Sequence, residues 1–325
     1  MAEISAQLVK QLRERTGAGM MDCKKALQET KGDIDAAEVV LRKRGIAGAS
    51  KKASRSTKQG LITAHINPDR KLGVLVEVNC ESDFVARTED FQTLAADIAA
   101  HIAVTKPKIV RIEEVTEAER ANFKHHEALY EQKFTKDGAT TVGEFVKSKI
   151  AKLGENINIS RFVIYETHGN GVIGEYIHHG AQIGVLLEVD GGSAAIIKNE
   201  DFQTLVHEVA MQIAAVPAEY VRREDVPDDV LAKEREIQRE RARGEGKPEK
   251  MLEKIAEGRM SKFYEEVCLL EQPFIRENSI SVGEHIKSIA SKLNGTVTVK
   301  RFVRYKVGDS GDAPGVAETP VPVTV

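Results

Sequence analysis

LGVLVEVNCESDFVARTEDFQTLAADIAAHIA, residues 72–103, returns as IGVLLEVDGGSAAIIKNEDFQTLVHEVAMQIA at residues 183–214, a constant shift of 111. Self-similarity of this kind sets the architecture before any other feature is weighed, because it means one unit built twice. The ends of the two copies match and their middles do not. The first copy reads Glu81-Ser82-Asp83-Phe84-Val85-Ala86 where the second reads Gly192-Ser193-Ala194-Ala195-Ile196-Ile197. If one copy folds without an Asp-Phe pair, folding does not require that pair in the other, and Phe84 becomes a candidate for contact with a partner. The competing expectation is that Phe84 packs beneath its own helix, as Ala195 or Ile196 would in the second copy.

The repeat continues outward. TVGEFVKSKIAKL (141–153) returns as SVGEHIKSIASKL (281–293), followed by Arg161-Phe162-Val163 and Arg301-Phe302-Val303, now at a shift of 140, so the second copy carries 29 extra residues. Those residues fall between about 222 and 268, where Leu231, Ile237, Met251, Leu252, Ile255 and Met260 are spread among Glu, Lys and Arg, and Gly244-Glu245-Gly246-Lys247-Pro248 breaks the stretch near its middle. Two charged helices folded back through that break predict an antiparallel helical coiled-coil arm inserted in the second half. Within each copy, alternating stretches such as Leu61–Ile66 and the run Leu72–Val78 read as strands joined by the turn Asn67-Pro68-Asp69. Thr88 stands where it can cap a helix whose Phe91, Leu94, Ala95, Ile98 and Ile102 share a face. A mostly polar helix is expected over 113–134, then a helix from Val142 and a strand over Asn156–Tyr165. The fold class is α+β: a duplicated core with antiparallel sheets and helices on one face.

Ahead of the core, Ile4, Leu8 and Leu12, then Met20–Leu27, then Ile34, Ala37, Val40 and Leu41 predict three short helices, with Asp33 capping the third and Gly45 ending it. The pattern ALQETKGDIDAAEVVLRKRG resembles the ubiquitin-associated fold, a three-helix module for protein contacts. The expected domains are 1–56 for this ubiquitin-associated-like module with a basic linker, 57–168 and 169–307 for the two core repeats, and 308–325 for a flexible tail rich in Gly, Pro and small residues.

Bulk properties exclude several classes. A chain of 325 residues with 41% apolar and 30% charged residues has the composition of a soluble protein. No signal peptide or apolar run of about 18 residues is visible, which predicts the cytoplasm. Cys23, Cys80 and Cys268 have no paired spacing, so reduced structural thiols are expected rather than disulfides or zinc. Net charge is −3. The stretch 42–58, with Arg42, Lys43, Arg44, Lys51, Lys52, Arg55 and Lys58, is the one basic run; it offers phosphate contacts but no aromatic for base stacking, and a solvated hinge is the expectation. His178-His179 point apart on a strand or turn and lack a third ligand, and His125-His126 sit in a charged helix. Gly308-Asp309-Ser310-Gly311 lacks the elbow, histidine and oxyanion pocket of a serine nucleophile. No G-x-x-x-x-G-K-[ST] loop occurs. Neither a catalytic centre nor a cofactor has a visible home, so the sequence reads as a binding protein and not an enzyme.

Six strings, in order, carry a resemblance: LRERTGAGMMDCKKAL (12–27), GDIDAAEVVLRKRG (32–45), VNCESDFVAR (78–87), KLGENINISR (152–161), HHGAQIGVL (178–186) and GRMSKFYEEVCLLEQPFI (258–275). Together they resemble the bacterial elongation factor Ts family over nearly the whole chain to about residue 306. The resemblance implies a guanine-nucleotide exchange factor for the GTPase elongation factor Tu, with no nucleotide of its own, no membrane and no required nucleic acid. In that family a Thr-Asp-Phe-Val motif dislodges the partner's magnesium, and here it stands as Ser82-Asp83-Phe84-Val85, the hydroxyl retained. The resemblance also implies that Met20, Met21 and Lys24 meet the partner's nucleotide-binding domain, and that Gly154, His179 and Ile275 meet its third domain. Longer members end in a further helical module that residues 308–325 do not resemble.

Overall fold

The structure, a computed structural model, describes residues 4–120 and 122–309. Three helices open it, α1 (Ala6–Thr16), α2 (Met20–Glu29) and α3 (Ile34–Lys52). Leu12, Cys23, Ala26, Leu27 and Ala37 close a small core between them. Asp33 caps α3 through its bond from the Ala36 amide, as the sequence predicts, and Ser5 caps α1. Gly45 does not end α3. The helix runs seven residues past it to Lys52, and a Cβ at Gly45 would stand 2.8 Å from the Ala151 Cβ. Glycine serves there as the point of close approach to a helix from the core, and Ala49 beyond it joins the first core cluster. The basic stretch is therefore not a free hinge: its first half is helical and packed, and Arg42, Arg44 and Arg55 form ion pairs with Glu144, Glu29 and Glu81.

The first copy follows as β1 (Gln59–Ile66), β2 (Leu72–Cys80), α4 (Asp83–Ala86), α5 (Glu89–Thr105), α6 (Glu117–Arg120), α7 (Val142–Leu153) and β3 (Ile157–Glu166). The second follows as β4 (Gly171–Ile177), β5 (Ile183–Asp190), α8 (Ala194–Ile197), α9 (Glu200–Ala215), α10 (Asp228–Gly244), α11 (Leu252–Val267), the short strands β6 (Pro273–Phe274) and β7 (Glu277–Ser281), α12 (Val282–Lys292) and β8 (Thr298–Lys306). Each copy forms a three-stranded antiparallel sheet, β1-β2-β3 and β4-β5-β8. Both central strands carry a bulge at the same repeat position, after Glu77 and after Glu188. Local signals recur as well: Thr88 and Asn199 cap α5 and α9, and Thr141–Glu144 and Ser281–Glu284 form the same reciprocal capping box.

The two sheets pack on one another through Ile62, Leu75, Tyr165, Ile173, Leu186, Val303 and Tyr305. The glycine shared by LGV and IGV has its reason here. A Cβ on Gly73 would lie 2.5 Å from Ile173, and one on Gly184 would lie 2.4 Å from Ile62. Arg161 bonds Glu77 and covers the Tyr305 ring at 4.1 Å, while Arg301 bonds Glu188 and covers the Tyr165 ring at 4.1 Å. The repeat thus crosses over itself, each copy's arginine lying on the other's tyrosine.

Among the described residues, the expected helix over 113–134 does not form. In its place are three-residue 3-10 helices at Ile112–Glu114, His125–Glu127 and Leu129–Glu131 and the four-residue α6, with His125-His126 in a single helical turn rather than a long charged helix. A parallel bridge pairs Ile109 with Ala128, and Leu129 and Phe134 are buried beyond it, so the chain must return to its start and cannot extend. The equivalent bridge in the second copy joins Tyr220 to Cys268. All of the extra residues hang between these anchors as α10 and α11. The two helices turn back through Gly246, at φ 75°, and bury Ala242, Leu252, Ala256 and Met260 between them. Arg235 pairs with Glu257 at 3.4 Å, and Arg259 with Glu245 at 2.6 Å.

Candidate functional site

The non-matching segment folds into the same object in both copies. Ser82 caps α4 by accepting from the Val85 amide, and Ser193 caps α8 by accepting from the Ile196 amide. Ala86 is the buried residue of α4 and Ile196 that of α8. What differs is the outer surface. Phe84 is 80% exposed, so it does not pack beneath its own helix, and Ala195 is exposed at the matching place. A four-residue helix with a serine cap needs no phenylalanine, and the second copy supplies the control within one chain.

In the first copy a carboxylate from the far end of the repeat braces this helix, whereas in the second the Gly192 amide is held by the nearby Asp190 carboxylate at 2.7 Å. The Glu155 carboxylate accepts from the Glu81 amide at 3.1 Å, the Ser82 amide at 2.9 Å and the Ser82 hydroxyl at 2.6 Å. In return Glu81 accepts from the Asn156 amide at 2.7 Å and from Arg55 at 3.4 Å. Those bonds, the Asn156 amide first, hold the Glu81 carboxyl below the usual carboxylate range. The Asn156 side chain donates to the Ala53 and Arg55 carbonyls, tying in the segment that follows α3. Hydrogen bonds to an ionised acceptor are stronger than neutral ones, so these bonds fix the base of α4 to the segment after α7. In the second copy Gly295 and Thr296 stand at the matching positions, and a Cβ on Gly295 would meet Ile196 at 2.2 Å. There an apolar side chain fills the space that the carboxylate occupies in the first copy.

Asp83, in the first turn of α4, accepts from Arg87 at 2.9 Å, a pair with both partners in solvent. Beneath, Cys80 donates to the Ser82 carbonyl at 3.1 Å, and burial pushes its thiol up to about 12, which keeps it protonated. Cys23 and Cys268 are likewise free and buried.

Ser82 and Asp83 line a groove of about 950 Å³ whose far wall is His179, Gly180 and Gln182, from the turn between β4 and β5. The fold thus brings His179 to the finger from the other copy. Gly154, the left-handed cap of α7 at φ 83°, adjoins Glu155 and leaves open space where a Cβ would go. Met20 and Met21 are 58% and 63% exposed at the start of α2, with Lys24 exposed one turn on. Ile275 lies in the β6–β7 turn, its amide bonded to Gln212. These last four sit on separate elements from the groove. His178 bonds Tyr176 at 3.1 Å. Glu155 and Asn156 were not singled out by sequence reasoning, and Glu81 and Arg55 only as members of the diverging segment and the basic run; the glutamate that matches Gly295 across the repeat was the available signal.

Fold and site define a duplicated α+β protein that displays an apolar finger on a charged mount. A family model described as "Elongation factor TS" matches residues 81–309. The chain is 46% identical over 305 residues to "Elongation factor Ts" of Aquifex aeolicus, covering 94% of this chain and 98% of that protein. It is 43% identical over 311 residues to the protein of that name from Nostoc sp., covering 95% and 94%, and 44% identical over 309 residues to that of Symbiobacterium thermophilum, covering 95% and 93%. This chain belongs to the elongation factor Ts family, and its place is in the elongation stage of protein biosynthesis. Among the described residues no helix is long and apolar enough to cross a membrane.

Proposed function

We propose that the protein is a cytoplasmic guanine-nucleotide exchange factor that binds elongation factor Tu in its GDP form, displaces magnesium and so releases GDP for replacement by GTP. It acts by binding rather than by catalysis, and needs neither a cofactor nor nucleic acid. The observation that carries this reading is the exposed Phe84 on a mount whose twin in the second copy lacks it. A GTPase holds its nucleotide through an ion bridging phosphate and protein. An exchange factor therefore need only favour the partner conformation that holds the ion poorly. Burying Phe84 between partner helices contributes about 2 kcal/mol, and each 1.4 kcal/mol of coupling changes nucleotide affinity about tenfold. Ser82, Asp83 and Val85 set the finger's direction, and the same linkage makes excess GDP expel the factor.

Around this contact, Met20, Met21 and Lys24 meet the nucleotide-binding domain, while Gly154, His179 and Ile275 meet the third domain. The division into 1–56, 57–168 and 169–307 follows the repeat, and the tail expected over 308–325 lies, from residue 310 on, outside the described residues. Three-helix packing in 1–56 supports a ubiquitin-associated-like module, and the paired α10 and α11 support a coiled-coil arm. The test is release of labelled GDP from elongation factor Tu: the wild type accelerates it, and Phe84→Ala does so far less while melting at the same temperature. Equal acceleration by both would reject the finger as the agent.

A further inference from the structure

The two copies differ at a second place, on the far side of the repeat. In the first copy Tyr130 lies between the 111–114 turn and α7: its hydroxyl accepts from the Ile159 amide at 3.2 Å, Arg111 covers its ring at 3.8 Å, and Gly143 leaves room for its Cδ1. The residue at this position in the second copy is Leu270. Three of the groups around the ring have counterparts in the second copy, although Arg222 is bonded to Asp225 at 3.3 Å where Arg111 is bonded to Glu114 and Asn158. Arg222 matches Arg111, Gly283 matches Gly143, and Val299 takes the register of Ile159 beside the same bulge. These residues line an open groove of about 480 Å³ with Leu270 and Val297. Val297 is half-buried there, whereas its twin Ile157 is buried.

We propose that this groove is a receptor for a tyrosine side chain carried by a partner peptide. Its phenol ring would lie over Val297 beneath the Arg222 guanidinium, with its hydroxyl at the Val299 amide. The first copy shows that this wall holds a phenol when one is supplied from within, and the second copy has kept the wall while giving up the phenol. A guanidinium stacked on an aromatic ring is attractive in itself, and the amide selects a hydroxylated ring over phenylalanine.

The experiment is a backbone-amide NMR titration of the full chain with N-acetyl-L-tyrosinamide. Saturable shifts at Val299, Gly283 and Arg222 are expected, with at least threefold weaker binding of N-acetyl-L-phenylalaninamide. Leu270→Tyr, which fills the groove from inside, should abolish the shifts, and Arg222→Ala should weaken binding if the first variant does not fold. Absent or non-saturating shifts, equal binding of the two amides, or shifts that survive both substitutions would overturn the proposal. So would shifts at these amides that grow with protein concentration without any probe, because the occupant would then be a second copy of this chain.

Discussion

Two helices of four residues, Asp83–Ala86 and Ala194–Ile197, follow equivalent strands, carry equivalent serine caps and lead into equivalent long helices. One ends in a benzyl group in solvent above a carboxylate that clamps its base; the other ends in alanine above a glycine filled by isoleucine. Local chemistry thus builds the platform in both copies. What separates them is whether the platform is held by a carboxylate from the far end of the repeat and loaded with an apolar tip. Charge clamps cost stability when a partner charge is missing, and an exposed phenylalanine adds nothing to folding. Under the proposed function, both features in the first copy serve the contact with the GTPase.

The contrast breaks most sharply if the first copy is rewritten as the second. Asp83→Ala combined with Phe84→Ala is expected to cut the acceleration of GDP release roughly 30-fold, about 2 kcal/mol of lost contact, with an unchanged melting temperature. Placing the pair in the second copy instead, by Ala194→Asp with Ala195→Phe, should not restore it, because that platform lacks the clamp and the groove wall at His179; recovery of exchange would show that position does not matter. A smaller effect should be blind to the difference between copies. Gly73→Ala and Gly184→Ala each press a methyl into an isoleucine across the sheets, and each should lose about 1.5 kcal/mol by urea unfolding; strongly unequal losses would mean the sheet packing is not symmetric. Glu155→Gln keeps the shape of the clamp and removes its charge. About 1 kcal/mol of stability should go, together with a weaker exchange activity that Gly295→Ala in the second copy does not reproduce.

The smallest effect concerns pH. His101 is buried in the first copy, bonded to Gln132 at 3.0 Å and Thr135 at 3.2 Å, and burial lowers its pKa. Gln212 takes its place in the second copy, donating to Gln272 at 3.0 Å. The neutral ring is the folded form, so its contribution is intact above about pH 6.5 and declines as pH falls toward the depressed folded value. Unfolding free energies at pH 7.0 and 5.5 should converge in His101→Gln, which imports the second copy's solution; an unaltered slope would assign the pH response elsewhere.

Much of this was readable in advance because it depends on neighbours in the chain. Strand alternation, the caps at Asp33 and Thr88, the turn at Asn67-Pro68-Asp69 and the break at Gly244–Pro248 act over a few residues. The comparison of copies singled out Phe84 as a residue the fold does not use. Gly45 misled, since a glycine after an apolar helical face looks the same whether it caps the helix or lets another helix approach. The 113–134 stretch misled for a related reason: its helix-forming residues were overruled by the bridge at Ile109–Ala128, a contact that composition does not announce.

By itself the sequence determined that one α+β unit is built twice, where its helices begin, and where the second copy lengthens, since periodicity and capping are short-range effects. Only the tertiary structure decided that Phe84 stands in solvent, that Glu155 reaches 73 residues back to Ser82, and that His179 of one copy and Asp83 of the other line one groove. Such pairings depend on which surfaces the two sheets bury against each other, and packing of that kind joins residues with no local period to connect them.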